Sequence, residues 1–362
     1  MSPLSQLERI LPDRLYLDHA ATTPMTAAAW AAMAHGLDLW ANPSSPHREG
    51  RAARAALENA RRTIAAAHGW RGETILTSGA SESLAIALGR TTAPRRLMTA
   101  VEHDAALRAG GDAGVVPVNE CGLVDLGALE AMLAAGPALV CVQWANSETG
   151  VRQPLRDIAE RVHAAGGRLL VDAAQMPASP DLAEIADLVA LSAHKRGGPP
   201  GVGALLVRDL GLLHPSGGQE RGYRPGTENL PGVLAYAAAL AEPEPDHGAL
   251  RSTLDDAIRR SGGDVVAGAA PRHPAIGSYR LRGSAAAAQL ILLDSAGFAV
   301  SAGSACSSGS MKPSHVLAAM GWNAEAGREV IRVSFGRTTT ADHVDAFIAA
   351  WRAMAKQMRR TP

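Results

Sequence analysis

The chain has 362 residues, 47% of them hydrophobic, and 35 basic side chains balance 35 acidic ones to a formal net charge of zero. That length accommodates one large and one smaller domain, each with its own core, and the charge balance leaves no electrostatic footprint for nucleic acid or an anionic membrane. No apolar run approaches the ~20 residues of a membrane span, and the opening MSPLSQLERILPDRLYLDHA lacks the basic-then-apolar order of a secretory signal, so a cytoplasmic location is expected.

In chain order, Gly50 to His68 reads as one long helix closed by Gly69. From Glu73 to Val207 short apolar runs alternate with amphipathic stretches such as LRDIAERVHAAGG, which ends in a double-glycine stop. Strands are expected at Thr74 to Thr77, Leu97 to Val101, Leu139 to Val142, Arg168 to Val171, Leu188 to Leu191 and Ala204 to Val207. This alternation predicts an α/β fold whose mostly parallel sheet is covered by helices. The patch AEPEPDHG, Ala241 to Gly248, marks the expected domain boundary. Beyond it a helix, a meander around Ile276 to Leu281, the strand-like VIRVSF and a C-terminal helix suit a smaller α+β domain. The expected division is a large domain over 14–245, with 1–13 and 246–362 forming the small one.

Lysine is nearly absent from the chain. Of the 35 basic residues only Lys195, Lys312 and Lys356 are lysine, and the rest are arginine. A lysine kept in the glycine-rich turn of LVALSAHKRGGPPGVGALLV calls for what an amine does and a guanidinium cannot, which is to lose its proton when desolvated and condense with an aldehyde. The 3 cysteines have no metal-like spacing, and their odd number argues against a disulfide framework. Cys141, in ALVCVQW, reads as a small buried hydrophobe, and Cys121, in the turn NECG, carries no functional signal. Cys306 stands apart, a single thiol in the small-residue loop VSAGSACSSGS.

In open α/β sheets ligands bind outside the carboxyl ends of the strands. There the sequence places TSGASESLAIAL, whose Gly79, Ala80 and Ser81 open a helix with N–H groups and a hydroxyl for an anion. The absence of GxGxxG and Walker patterns favours a single phosphate over a dinucleotide. Other strand ends carry Glu102-His103, Asp172 followed by Ala173, Ala174 and Gln175, and Ser192-Ala193-His194-Lys195. An anion cup, a carboxylate suited to a pyridinium, an aromatic base and a Schiff-base lysine together specify pyridoxal 5'-phosphate, with Asp172 keeping the ring nitrogen protonated.

These motifs resemble those of the class V aminotransferase-fold enzymes and, within them, the cysteine desulfurases. The similarity runs from YLDHAATTP (Tyr16 to Pro24) through NPSSPH, TSGASES, VEH, ANSETG, VDAAQ, SAHK, GGQERGYRPGTEN and SAGSACSS to IRVSFGR (Ile331 to Arg337). It implies a fold-type I homodimer that acts on L-cysteine with active sites shared between subunits. By the resemblance Lys195 binds pyridoxal phosphate covalently, Asp172 pairs with its ring nitrogen and Gln175 with its ring oxygen. Ser81, Ser192 and His194 hold the phosphate, and Thr227 reaches that of the other subunit. His103 stacks on the ring and moves protons, Arg332 clamps the substrate carboxylate, and Cys306 takes the sulfur as a persulfide for an acceptor protein of iron–sulfur assembly or tRNA thiolation. The chain departs from the family pattern at Ser147, where a second asparagine is usual, so either Ser147 or Asn146 serves the ring oxygen, and Asn146 joins Arg332 in binding the substrate. It departs also at Ala193 in SAHK and at Pro200, where lysine is usual. A selenocysteine lyase, an amino-group transferase of the same fold and a non-catalytic sulfur-relay protein are the alternatives.

Overall fold

The structure, a computed structural model, describes residues 14–302 and 313–359. Its strands are β1 (Leu15–Tyr16), β2 (Glu73–Thr77), β3 (Arg96–Thr99), β4 (Gly114–Val116), β5 (Leu139–Gln143), β6 (Arg168–Asp172), β7 (Leu188–Ser192), β8 (Gly203–Val207), β9 (Asp264–Val265), β10 (Ile276–Arg280), β11 (Phe298–Ala299) and β12 (Val330–Ser334). Seven of them form the central sheet in the order β2-β8-β7-β6-β5-β3-β4. Every pairing in it is parallel except the two made by β8.

The sheet forms because its strands are apolar on both faces, and the two-residue alternation sends their side chains into two cores. Leu97, Val140, Val142, Leu169, Val171, Val189 and Leu206 pack with Leu57 and Ile64 of the helix Arg48–Ala67 and with Ile158 and Val162 of the helix Leu155–Ala164. Their neighbours Met98, Leu139, Cys141, Leu170, Leu188 and Leu205 face the other way, onto Leu84 and Leu88 of the helix Ala80–Gly89. Each side chain fully buried in this way contributes about 1.5–3 kcal/mol.

A three-stranded sheet, β12-β10-β9, is antiparallel throughout. It covers a separate core of Leu254, Ile258, Tyr279, Ile331, Val333, Phe347 and Trp351, closed by the helices Gly248–Arg260 and Ala341–Met358. Leu17 belongs to this core, and β1 pairs with β11. The chain then crosses to the large sheet. Ala20 N–H donates to Ser334 Oγ at 2.8 Å, and Thr23 N–H donates to the His194 carbonyl at 2.8 Å. The segment 17–23 therefore ties β12 to the turn that follows β7. Among the described residues no helix is long and apolar enough to cross a membrane.

His68, just after the long helix, is 1% exposed and neither ring nitrogen has a hydrogen-bond partner. Burial pushes its pKa down to about 4, so the folded ring stays neutral while the unfolded one protonates below about 6.5. Stability should therefore fall as the pH drops from 6.5 towards 4, with this residue accounting for about 2 kcal/mol at pH 5. Chemical denaturation of His68→Phe at pH 7.5 and pH 5 should show a smaller acid loss than that of the parent chain.

Candidate active site

The parallel strands β2, β3, β5, β6 and β7 point the same way, so their carboxyl ends gather at one edge of the sheet. A pocket of about 900 Å³ opens there, closed from the other side by Ala20, Ala21, Pro313 to Val316 and Arg332. It brings together Gly79, Ala80, Ser81, His103, Asn146, Ser147, Asp172, Gln175, Ser192, His194, Lys195 and Arg332. Thr227 is exposed and is not among the lining residues, and Cys306 lies outside the described residues.

At the end of β2 the helix Ala80–Gly89 begins with Gly79 at φ 151°, and no side chain caps its first turn. That backbone is open to glycine and costly for other residues. A Cβ on the facing Gly203 would fall 2.6 Å from the Gly79 Cα, so glycine at 203 lets β8 pass under the turn, while at 79 it is the φ that calls for glycine. The uncapped N–H groups, the Ser81 hydroxyl and the nearby Ser192 and His194 form a donor set matched to a phosphate. His194 is itself oriented by Thr22, its Nδ1 lying 3.0 Å from Thr22 Oγ1, and burial keeps it neutral by lowering its pKa to about 4.

Asp172 ends β6, is buried, and accepts a hydrogen bond from Ala174 N–H at 2.9 Å. Lys195 faces it, and desolvation pushes the amine down to about 8. Arg332 and Arg196 press in the same direction, while Asp172 and Asp18 oppose the shift. A lysine so placed has a substantial neutral fraction near neutral pH and can attack an aldehyde. Gln175 gives one Nε2 hydrogen to the Ala20 carbonyl at 3.0 Å. Phosphate donors, a buried carboxylate and a desolvated amine in one pocket are the chemistry that pyridoxal phosphate requires, and the residues present fit it.

His103 caps the helix Asp104–Gly110, its Nδ1 accepting from Ala105 N–H at 3.1 Å. That bond fixes the tautomer, because an Nδ1 that accepts leaves the proton on Nε2. Desolvation and then the charge of Lys195 lower its pKa. Asn146 is committed to its own turn. Its Oδ1 accepts from Glu148 N–H and Thr149 N–H at 2.9 and 2.8 Å, and its Nδ2 donates to the Val101 carbonyl at 3.1 Å. Ser147 is the more exposed of the pair, and its carbonyl accepts from Arg332 Nη1 at 2.8 Å.

The loop Gly217 to Asn229 carries Thr227 and is braced from the core. Glu220 and Arg221 take left-handed φ values of 51° and 56°, a conformation non-glycine residues rarely adopt. Arg61 holds the Glu220 carboxylate, which also accepts from Leu76 N–H at 2.8 Å.

Sequence reasoning passed over Asp18, Glu148, Ser314 and His315. Ser314 Oγ donates to Glu148 Oε2 at 2.6 Å, His315 Nε2 donates to the Glu102 carbonyl at 2.9 Å, and Asp18 Oδ1 accepts from Arg332 Nη2 at 2.7 Å. The available signal was their place inside or beside quoted motifs, namely YLDHAATTP, ANSETG and the stretch after the Cys306 loop.

The sequence model of the class V aminotransferases matches residues 15–347. The chain belongs to that family. It is 37% identical over 377 aligned positions to a cysteine desulfurase of Cereibacter sphaeroides, with 96% of this chain and 97% of the relative covered. Among solved structures, a NifS-like protein from Rickettsia africae superposes with a TM-score of 0.85 at 28% identity, covering 95% of this chain and 99% of the other. A protein named SspA, solved in complex with cysteine, superposes with a TM-score of 0.77 at 27% identity, covering 90% of this chain and 99% of the other.

Glu102, fully buried between Thr99, Cys141 and the Gln143 N–H, tests the electrostatics of the pocket floor. Burial raises its pKa to about 8, so the folded chain keeps a proton that the unfolded chain releases above about 4.5. Its ionisation therefore adds no penalty below pH 4.5, and the penalty grows up to pH 8. Glu102→Gln removes that dependence, and its melting temperature should gain on the parent's as the pH rises from 5 to 8. An equal difference at both pH values would show that Glu102 is ionised in the fold.

Proposed function

We infer that this protein is a cysteine desulfurase, an enzyme that removes sulfur from L-cysteine and releases L-alanine. The observation that carries the reading is the meeting of Lys195, Asp172 and Arg332 in one pocket of a chain 37% identical to a cysteine desulfurase over nearly its whole length. Pyridoxal phosphate, when bound, supplies the electron sink that makes the substrate α-carbon acidic. Lys195 would hold it covalently, Asp172 would keep its ring nitrogen protonated, and Gln175 has a second Nε2 hydrogen for its ring oxygen. Gly79, Ala80, Ser81, Ser192 and His194 would bind the phosphate. Ser147, whose hydroxyl is freer than the committed Asn146 amide, is the better placed of the two to reach the ring oxygen.

Arg332 would grip the substrate carboxylate and so direct the rest of the amino acid towards Lys195. His103 would move a proton through Nε2, its other nitrogen being held by Ala105. Cys306 would act as a thiolate. An electron pair on its sulfur forms the S–S bond as the substrate C–S bond breaks, and the pair left on carbon takes a proton. The products balance as L-alanine and a Cys306 persulfide, whose outer sulfur passes to an acceptor protein.

The same reading makes the enzyme a cytoplasmic homodimer with shared sites. In support, Trp30 and Leu37 on the helix Ala27–Asp38, and Trp40 just beyond it, are 50, 63 and 79% exposed, an apolar surface that a second copy would cover. That helix packs on the helix Leu230–Leu240, directly after Thr227, so the apolar surface and Thr227 lie on adjoining elements. A large domain over 14–245 and a small one of 1–13 and 246–362 remain the proposed division, supported by the separate cores of the two sheets, with one proposed change at the boundary. Leu15 and Leu17 pack on the small core and β1 pairs with β11, which supports placing the start of the large domain near Asp18.

Purified protein should be yellow, and borohydride should fix the chromophore to the peptide containing Lys195. Lys195→Arg keeps the charge but cannot make that bond. It should give no reducible adduct, and loss of activity of more than a thousandfold is expected, on the order of removing an essential catalytic group. A reducible adduct retained in the arginine variant would assign the covalent link elsewhere.

A further inference from the structure

Asp18 sits where a partner for Arg332 is needed. Arg332, on β12, is 6% exposed, and a guanidinium taken that far out of water is costly unless its hydrogens find acceptors. Two acceptors come from the chain itself. The Ser147 carbonyl receives Nη1 at 2.8 Å and Asp18 Oδ1 receives Nη2 at 2.7 Å. Of the five N–H donors of a guanidinium these take two, and others remain for a ligand.

The Asp18 backbone is fixed independently of this contact. Leu17 N–H donates to the Ala299 carbonyl at 2.9 Å, Ser334 N–H donates to the Leu17 carbonyl at 2.8 Å, and Leu17 lies in the small core. Asp18 is thus laid against β12 two residues from Arg332, by bonds that a ligand in the pocket does not need to break. The two charges also act on the pocket as a pair. Arg332 depresses the Lys195 amine, and Asp18 opposes that effect.

We propose that Asp18 is the positioning residue of the carboxylate-binding arginine, holding the Arg332 guanidinium oriented towards the pocket so that it accepts an amino acid by its carboxylate. A long side chain held beforehand loses less freedom when the ligand arrives, and the planar fork is presented in a fixed direction. This inference rests on the reading of Arg332 as the substrate clamp. It predicts an effect specific to ligands that carry a carboxylate, which a merely structural salt bridge would not produce.

The test uses cofactor-loaded parent, Asp18→Ala and Asp18→Asn proteins, titrated with L-alanine and with ethylamine and followed by the visible absorption of the cofactor. The parent should bind L-alanine far more tightly than ethylamine. Asp18→Ala should weaken L-alanine binding by about 10- to 100-fold and leave ethylamine within about twofold. Asp18→Asn, which still offers a carbonyl oxygen, should fall between the two. The KM for L-cysteine should rise with the L-alanine constant, while kcat stays within about threefold. Unchanged L-alanine binding in both variants, or equal weakening of both ligands, would overturn the proposal. If Asp18→Ala does not fold or load cofactor, Asp18→Asn carries the same comparison. A parent that does not prefer L-alanine to ethylamine would overturn the reading of Arg332 itself, and the proposal with it.

Discussion

A lysine amine, an arginine and two aspartates meet at the end of the central sheet, and each can stay out of water there only if the others balance it. Taking an unpaired charge out of water costs several kcal/mol, comparable with the whole stability of a domain. Asp172 is the counter-charge for Lys195, and Asp18 is the counter-charge for Arg332. The balance is incomplete by design of the residue set, since Lys195 still falls to about 8. An amine held near neutrality can be both a nucleophile and a proton carrier. The arginines that fill nearly all the other basic positions could serve as neither.

The backbone brings these charges together from distant parts of the sequence. Parallel strands place Asp172, Ser192 and the turn to Lys195 on one edge, while the antiparallel β8 passes beneath through the close approach of Gly203 to Gly79. The segment from Leu17 to Thr23 stitches the small sheet to the turn after β7 and so carries Asp18 into reach of Arg332. Asn146 gives its side chain to the turn that presents Ser147, whose carbonyl then supports the same arginine. Much of the polar capacity of the site is therefore spent on positioning other groups.

Much of this was legible in the sequence, for a physical reason. Strands buried on both faces must be apolar throughout, so ALVCV, RLLV and LVALS announce themselves, and the residues that break each run fall at the strand ends where ligands bind. The edge strand β4 was not anticipated, because Gly114–Val116 is only 3 residues long and has no pattern to distinguish it from a loop. Asp18, Glu148, Ser314 and His315 went unread for a different reason. Their roles depend on partners such as Arg332 and Glu102, which are remote in sequence, and no local periodicity records such a contact. Asn146 and Ser147 are both short polar residues of one turn, and nothing in that pair of letters records that Asn146 Oδ1 accepts from Glu148 and Thr149 N–H. Cys306 is the reverse case, a residue whose assignment rests on its sequence context alone.

The central claim is that sulfur leaves cysteine for an enzyme thiol. A single turnover of the cofactor-loaded enzyme with limiting L-cysteine, quenched and divided between amino-acid analysis and peptide mass spectrometry, tests it most directly. The account predicts L-alanine and a persulfide on the Cys306 peptide in equal amounts, with Cys121 and Cys141 unmodified. L-alanine formed without sulfur on Cys306, or a 2-oxo acid formed in place of L-alanine, would contradict it.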